Sequence, residues 1–157
     1  MGYINNTHMS QYITPLQMHF VTGTWTDAAG QVVDTICKHK AATAETSVIS
    51  IPITLPSNSA ALKGAYLKSV EVDYEILVAA CTSVTATMNK ITRGADTAIA
   101  VKADAPVTQD LTAATDAADV DEHKLTVTVT TPVWIDNDVE YLLVITTIAA
   151  AGTTIDI

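Results

Sequence analysis

No stretch of this chain reaches the roughly 18 uninterrupted apolar residues that a transmembrane helix needs. Positive charge is scarce as well. Eight Lys and Arg stand against 17 Asp and Glu, for a net charge of −9. A chain with that balance repels phosphate, which argues against nucleic acid and against an anionic membrane as partners. Cysteine is limited to Cys37 and Cys81. No CxxC or Cys/His spacing forms a zinc motif. Each cysteine sits in or beside a strand-like run and reads as a buried free thiol, with a disulfide as the alternative. Aromatics are 5% of the chain, so the core must be built from Val, Ile, Leu and Ala. Catalytic signatures are missing too. There is no GxSxG, HExxH, P-loop or GxGxxG, and the four histidines are dispersed. The expectation is a protein that is not an enzyme.

The N-terminus, MGYINNTHMS, has neither the basic region nor the apolar run of a signal peptide. Asn6 stands where a myristoylation signal wants Ser or Thr. The sequon at Asn5 therefore has no secretory context, and the expected origin is a cytoplasm.

What the chain has in quantity is threonine, about a sixth of all residues, together with Val and Ile, all of which favour strands. Period-two alternation recurs along it. Gln17 to Thr26 places Met18, Phe20 and Thr22 on one face, and Gln31 to His39 reads as its hairpin partner. From Thr46 to Leu55, Ile49, Ile51 and Ile53 face one way, while Pro52 predicts a sheet edge or a bulge. From Ala65 to Ala79, Val70, Val72, Tyr74, Ile76 and Val78 face inward and Glu71, Asp73 and Glu75 outward. Ser83 to Arg93 follows with Val84, Ala86 and Met88 on one face, and the two runs read as a hairpin. Lys124 to Thr131 puts Leu125, Val127 and Val129 inward. Pro132 to Ile135 is expected to cross over, and Val139 to Ala149 forms the next strand.

These elements predict an all-β chain: an antiparallel, jelly-roll-like β-sandwich of eight or nine strands. Residues 1–15 read as an N-terminal arm, and residues 16–157 as a single domain with a long loop at 94–122. A connection of that length is usually functional or carries short elements of its own.

Few residues are candidates for chemistry. Asp116, Asp119, Asp121 and Glu122, followed by His123, crowd enough potential ligands to hold a hard cation such as calcium. The spacing is not that of an EF-hand, and a solvated acidic loop is the simpler reading, with no cofactor. Asp136, Asp138 and Glu140 form a weaker group, explicable as a turn. Trp25 and Trp134 are alternatives as sugar-stacking platforms, against a role as core plugs. Lys38-His39-Lys40 is the sole basic cluster and reads as a strand end.

The strand from Val139 to Ala149 poses a separate question, because Tyr141, Leu143 and Ile145 share one face while Leu142, Val144 and Ile148 share the other. A strand of an antiparallel sandwich usually shows water one polar face. The cover is the N-terminal arm, the long loop or a neighbouring subunit. The last predicts a homo-oligomer, a trimer being favoured, with Leu142, Val144 and Ile148 at its contacts.

Two segments also carry a resemblance. LKGAYLKSVEVDYEILVAACTSVTATMNKIT and DEHKLTVTVTTPVWIDNDVEYLLVITTIAAAGTT resemble stretches of small β-rich structural proteins of tailed bacteriophages and uncultured viruses. The shared order is a strand pair, a long variable loop, a strand of the form T-x-T-x-T-x-P-x-W-[LIV]-D and a Tyr-bearing strand, over somewhat under half of the chain. The resemblance implies a virion component made in the host cytoplasm, such as a capsid decoration or minor capsid protein. Its partners would be other virion proteins, including the major capsid protein. A carbohydrate- or receptor-binding module of a virion appendage is the alternative.

Overall fold

A computed structural model describes residues 10–30, 35–54, 66–92, 102–104, 119–134 and 139–157. Within them lie a 3-10 turn, Pro15–Gln17, and ten strands: β1 His19–Thr22, β2 Trp25–Ala29, β3 Ile36–Lys40, β4 Glu45–Ile53, β5 Tyr66–Leu77, β6 Cys81–Thr92, β7 Lys102–Asp104, β8 Glu122–Trp134, β9 Val139–Ala149 and β10 Thr154–Asp156. They form two five-stranded sheets. Sheet I has the order β1-β4-β9-β6-β7 and sheet II the order β2-β3-β10-β5-β8. Every recorded pairing is antiparallel. The chain is an all-β antiparallel sandwich, with its core between the sheets.

That core follows from the alternation. Ile49, Ile51, Ile53, Val72, Tyr74, Ile76, Val84, Leu125, Val127, Val129, Leu143 and Ile145 are all buried, as their phase predicts. Two of the inward polar side chains pair with each other. Ser47 and Thr147 lie opposite each other on β4 and β9 and share a hydrogen bond between their hydroxyls. Pro52 causes no break in a ladder, because β1 pairs with β4 only from Val48 to Ser50 and ends before the proline.

The structure corrects several expectations. Gln17 to Thr26 is not one strand. The chain leaves sheet I after Thr22 and enters sheet II at Trp25. Gly23 makes this corner with φ +97°, and a Cβ there would come within 3.0 Å of the Ser47 backbone. Only glycine supplies that dihedral without strain. The hairpin of β2 and β3 does form, from Trp25↔Lys40 to Ala29↔Ile36.

The runs at 65–79 and 83–93 do not form a hairpin. β5 belongs to sheet II, pairing with β8 and β10, and β6 to sheet I, pairing with β9 and β7. The turn between them is a corner. Val78, expected inward, sits there with φ 69° and 80% exposed. Its turn puts Thr153 within reach, and the Thr153 hydroxyl donates to Ala80 O at 2.8 Å. Nor does the chain cross over at Pro132. β8 runs on to Trp134, pairing with Tyr66 after an irregularity opposite Leu67 to Ser69. Within the long loop, β7 occupies Lys102–Asp104, residues 94–101 and 105–118 lying outside the described residues.

Candidate functional site

Each sheet turns one face to the core and one outward, and the outward faces are the surfaces on which function must be sought. Strand register determines what each displays.

On sheet II, β10, β5 and β8 lie side by side. Asp156 is opposite Glu75, and Glu75 is opposite Glu122, so three carboxylates form a row across three strands. His39 on β3 ends the row and bonds Asp156 Oδ1 through Nδ1. The next rows hold Asp73 opposite Lys124 and Glu71 opposite Thr126. Lys124 Nζ lies 3.0 Å from Glu71 Oε2 and 3.8 Å from Asp73 Oδ1. Hydrogen bonding and charge from Glu71, then the charge of Asp73, raise the lysine pKa. A shallow groove of about 460 Å³ runs along this face, lined in part by Cys37, Glu75, Glu122, His123 and Asp156. Burial, then the Asp156 carboxylate, pushes the Cys37 thiol above its ordinary value, so it stays protonated near neutrality. Cys81, buried in the core, is pushed the same way by burial. Both cysteines are free.

Sheet I presents the opposite surface. The described outward side chains of its three central strands are Thr46, Val48, Ser50 and Pro52 on β4; Leu142, Val144, Thr146 and Ile148 on β9; and Ser83, Thr85, Thr87 and Asn89 on β6, while Glu140, at the start of β9, shares their phase but its side chain lies outside what is described. None of those described carries a charge. β9 lies in the middle, so Leu142 and Val144 form an apolar stripe between flanks of hydroxyls and one amide. Leu142 and Val144 are half-buried by these neighbours, and Ile148 is 44% exposed. Thr85 satisfies its own hydroxyl within the sheet by donating to Thr146 O at 3.3 Å.

The described part of the N-terminal arm does not lie over this stripe. Ile13 and Met18 pack against the core, and the 3-10 turn sits beside β3 of the other sheet. Tyr12 and Leu16 remain exposed.

Of the acidic loop residues, Asp116 lies outside the described residues. Asp119, Asp121 and Glu122 do not assemble as ligands, and among the described residues no group of three or more His, Cys, Asp or Glu is arranged to hold a metal ion. Their local bonds account for the geometry. Asp121 Oδ1 accepts from the Glu122 amide at 2.9 Å, and His123 Nε2 donates to Asp119 O at 3.0 Å while its ring stacks on Tyr74. Asp136 and Asp138, with the side chains of Glu140 and Trp134, lie outside what is described.

Trp25 is 6% exposed and pairs with Lys40 across β2 and β3, which removes it as a sugar platform. Its neighbours are the residues that sequence reasoning misjudged. Lys38 and Lys40 point inward and are 4% and 0% exposed. Lys38 pairs with Asp27 and lies 4.6 Å from the centre of the Phe20 ring. Lys40 Nζ donates to Ala41 O and Thr43 O, both at 2.8 Å, with Glu45 Oε1 at 3.7 Å. The Thr24 hydroxyl and amide both donate to Glu45 Oε1, at 2.6 and 2.8 Å. The Thr24 hydroxyl bond in the first place, with Lys40 assisting, holds the Glu45 carboxyl below its usual range. This polar cluster closes one end of the sandwich.

Compared with protein-family models, curated proteins and solved structures, the chain matches none.

Proposed function

We propose that the chain is a non-enzymatic structural component of a virion, a homo-oligomer that sits on the outer layer of a capsid and contacts other virion proteins such as the major capsid protein. The observation that carries this reading is the lack of charge among the described outward side chains of the three central strands of sheet I, on a chain of net charge −9. Interfaces are depleted of charge at their centres and polar at their rims, and this face has that anatomy. The strand order supports a jelly-roll winding. Strands β3-β10-β5-β8 of one sheet and β4-β9-β6-β7 of the other are joined in pairs by short sheet-to-sheet turns at β3–β4, β5–β6 and β9–β10. The acidic outward face of sheet II is suited to solvent and unsuited to packaged phosphate, which favours an outer over an inner layer. The resemblance of the β5–β6 and β8–β9 segments to phage structural proteins points the same way.

The test is cryo-electron microscopy of gradient-purified particles from cells that make this chain. Density for a β-sandwich at regular copy number on the shell is the expected result. Particles lacking the chain, with all of it in the soluble fraction, overturn the proposal.

A further inference from the structure

Among the described side chains, the outward face of the three central strands of sheet I is uncharged, apolar along its centre and left open by the described part of the arm. We infer that its occupant is the same face of a second copy of this chain, packed sheet on sheet about a two-fold axis. The inference rests on the structural reading above and specifies its first assembly step.

Charge selects the occupant. Two copies, each at −9, repel unless their carboxylates are kept apart. Stacked sheets lie about 10 Å apart. Packing sheet I on sheet I makes four layers and places the two acidic outward faces about 30 Å from each other, several times the screening length of about 8 Å at physiological salt. Packing sheet I on sheet II instead would desolvate Glu71, Asp73, Glu75 and Glu122 against central strands whose described outward side chains include no cation to receive them. A basic partner has the opposite preference and would take sheet II.

Size and shape agree. Five strands at about 4.8 Å spacing, of which the central three have nine, eleven and twelve residues, span up to roughly 700 Å². That approaches the roughly 800 Å² per partner of a standard interface. An isologous contact also sets Val144 and its neighbours against themselves, apolar stripe to apolar stripe and hydroxyl rim to hydroxyl rim. A flat two-fold contact closes as a dimer. A trimer would have to be made by the sheet edges.

Sedimentation velocity of the full chain at tens of micromolar tests this. A dimer is expected in 50 mM salt and, because salt screens the residual repulsion between the acidic faces, an equal or larger dimer fraction in 500 mM. Val144→Glu is expected to give a monomer, and Thr126→Glu, on the outward face of sheet II, to leave the dimer intact. Thr87→Lys is a second disruption at a hydroxyl position, interpretable where Val144→Glu does not fold. A wild type that is monomeric at both salts, a trimer, or a Val144→Glu protein that melts well below wild type while wild type is already monomeric each overturns the inference, the last by placing the cover within the chain. The two readings fail separately. A monomer that is still found on particles removes the pairing and keeps the virion role, whereas a dimer absent from particles does the reverse.

Discussion

The two sheets of this sandwich are built alike on the inside and differently on the outside. Inward, both present Val, Ile and Leu at alternate positions. Outward, sheet II shows Glu71, Asp73, Glu75, Glu122 and Asp156 with Lys124 and His39, and sheet I shows no charge among the described outward side chains of its three central strands. Burial therefore dictates one face of every strand, and the other face is free to be chosen. On sheet II the choice is solubility. On sheet I it departs from what solubility asks, which is why function is sought there.

Substituting neighbours on one strand separates the inner from the outer role. Val127→Asp and Leu143→Asp, one beneath each face, each bury an unpaired charge and should cost about 3 kcal/mol or more. Thr128→Asp, one residue along on the sheet II exterior, should change stability by less than about 0.5 kcal/mol. Urea denaturation of these variants measures the contrast, and equal losses at Val127 and Thr128 would mean that the phase of β8 is wrong.

The back-to-back arrangement depends on corners, so the next effect is at Gly23. Gly23→Ala combines a positive φ with a clash against Ser47 and should cost about 2 kcal/mol. A melting temperature unchanged from wild type would show that the β1–β2 corner can open without harm to either sheet.

Acid should then weaken the end closed by Glu45. Its folded pKa is lowered, so its contribution is complete above the unfolded value near 4.5 and is lost as the pH falls through the lower folded value. Urea midpoints measured from pH 7 to pH 3 should decline below about pH 4.5, and Glu45→Gln should flatten that decline. An identical slope in the variant assigns the acid sensitivity to the carboxylates of sheet II instead.

At the other corner the expected change is a gain. Val78→Gly relieves a β-branched residue held at φ 69° and should stabilise by about 1 kcal/mol, less the entropy glycine adds to the unfolded chain. A loss would mean that the exposed valine packs against something. The smallest effect is on the acidic row itself. Like charges directly opposite one another destabilise a sheet, so Glu122→Lys should raise stability by about 0.5 kcal/mol, read from the same denaturation curves. No gain would indicate that the row is relieved by its neighbours, His39 among them.

Much of this was legible from alternation alone. The inward set from Ile49 to Val129 follows from period two, because a strand that buries one face announces that face in its own sequence, and the strand at Val139–Ala149 is legible as a continuous apolar run. The same logic failed at Lys38 and Lys40. They occupy inward positions, but charge argued against burial, and nothing local signals that Asp27, Glu45 and two carbonyls will receive them. The carboxylate row was equally hidden. Asp156, Glu75 and Glu122 are far apart in the chain and meet only through the pairings of β10, β5 and β8.

By itself, then, the sequence determined the class, the strands and the side of each strand that faces the core, since these depend on neighbours two residues away. Only the tertiary structure decided which sheet each strand joins. β5 and β6 would be a hairpin if the backbone at Leu77 to Ala80 turned within one sheet, and they are partners in none because it turns the corner into the other. That choice rests on a few dihedrals and on pairings with distant strands. It is what brought β9 to the centre of sheet I and set its uncharged stripe in the middle of a face.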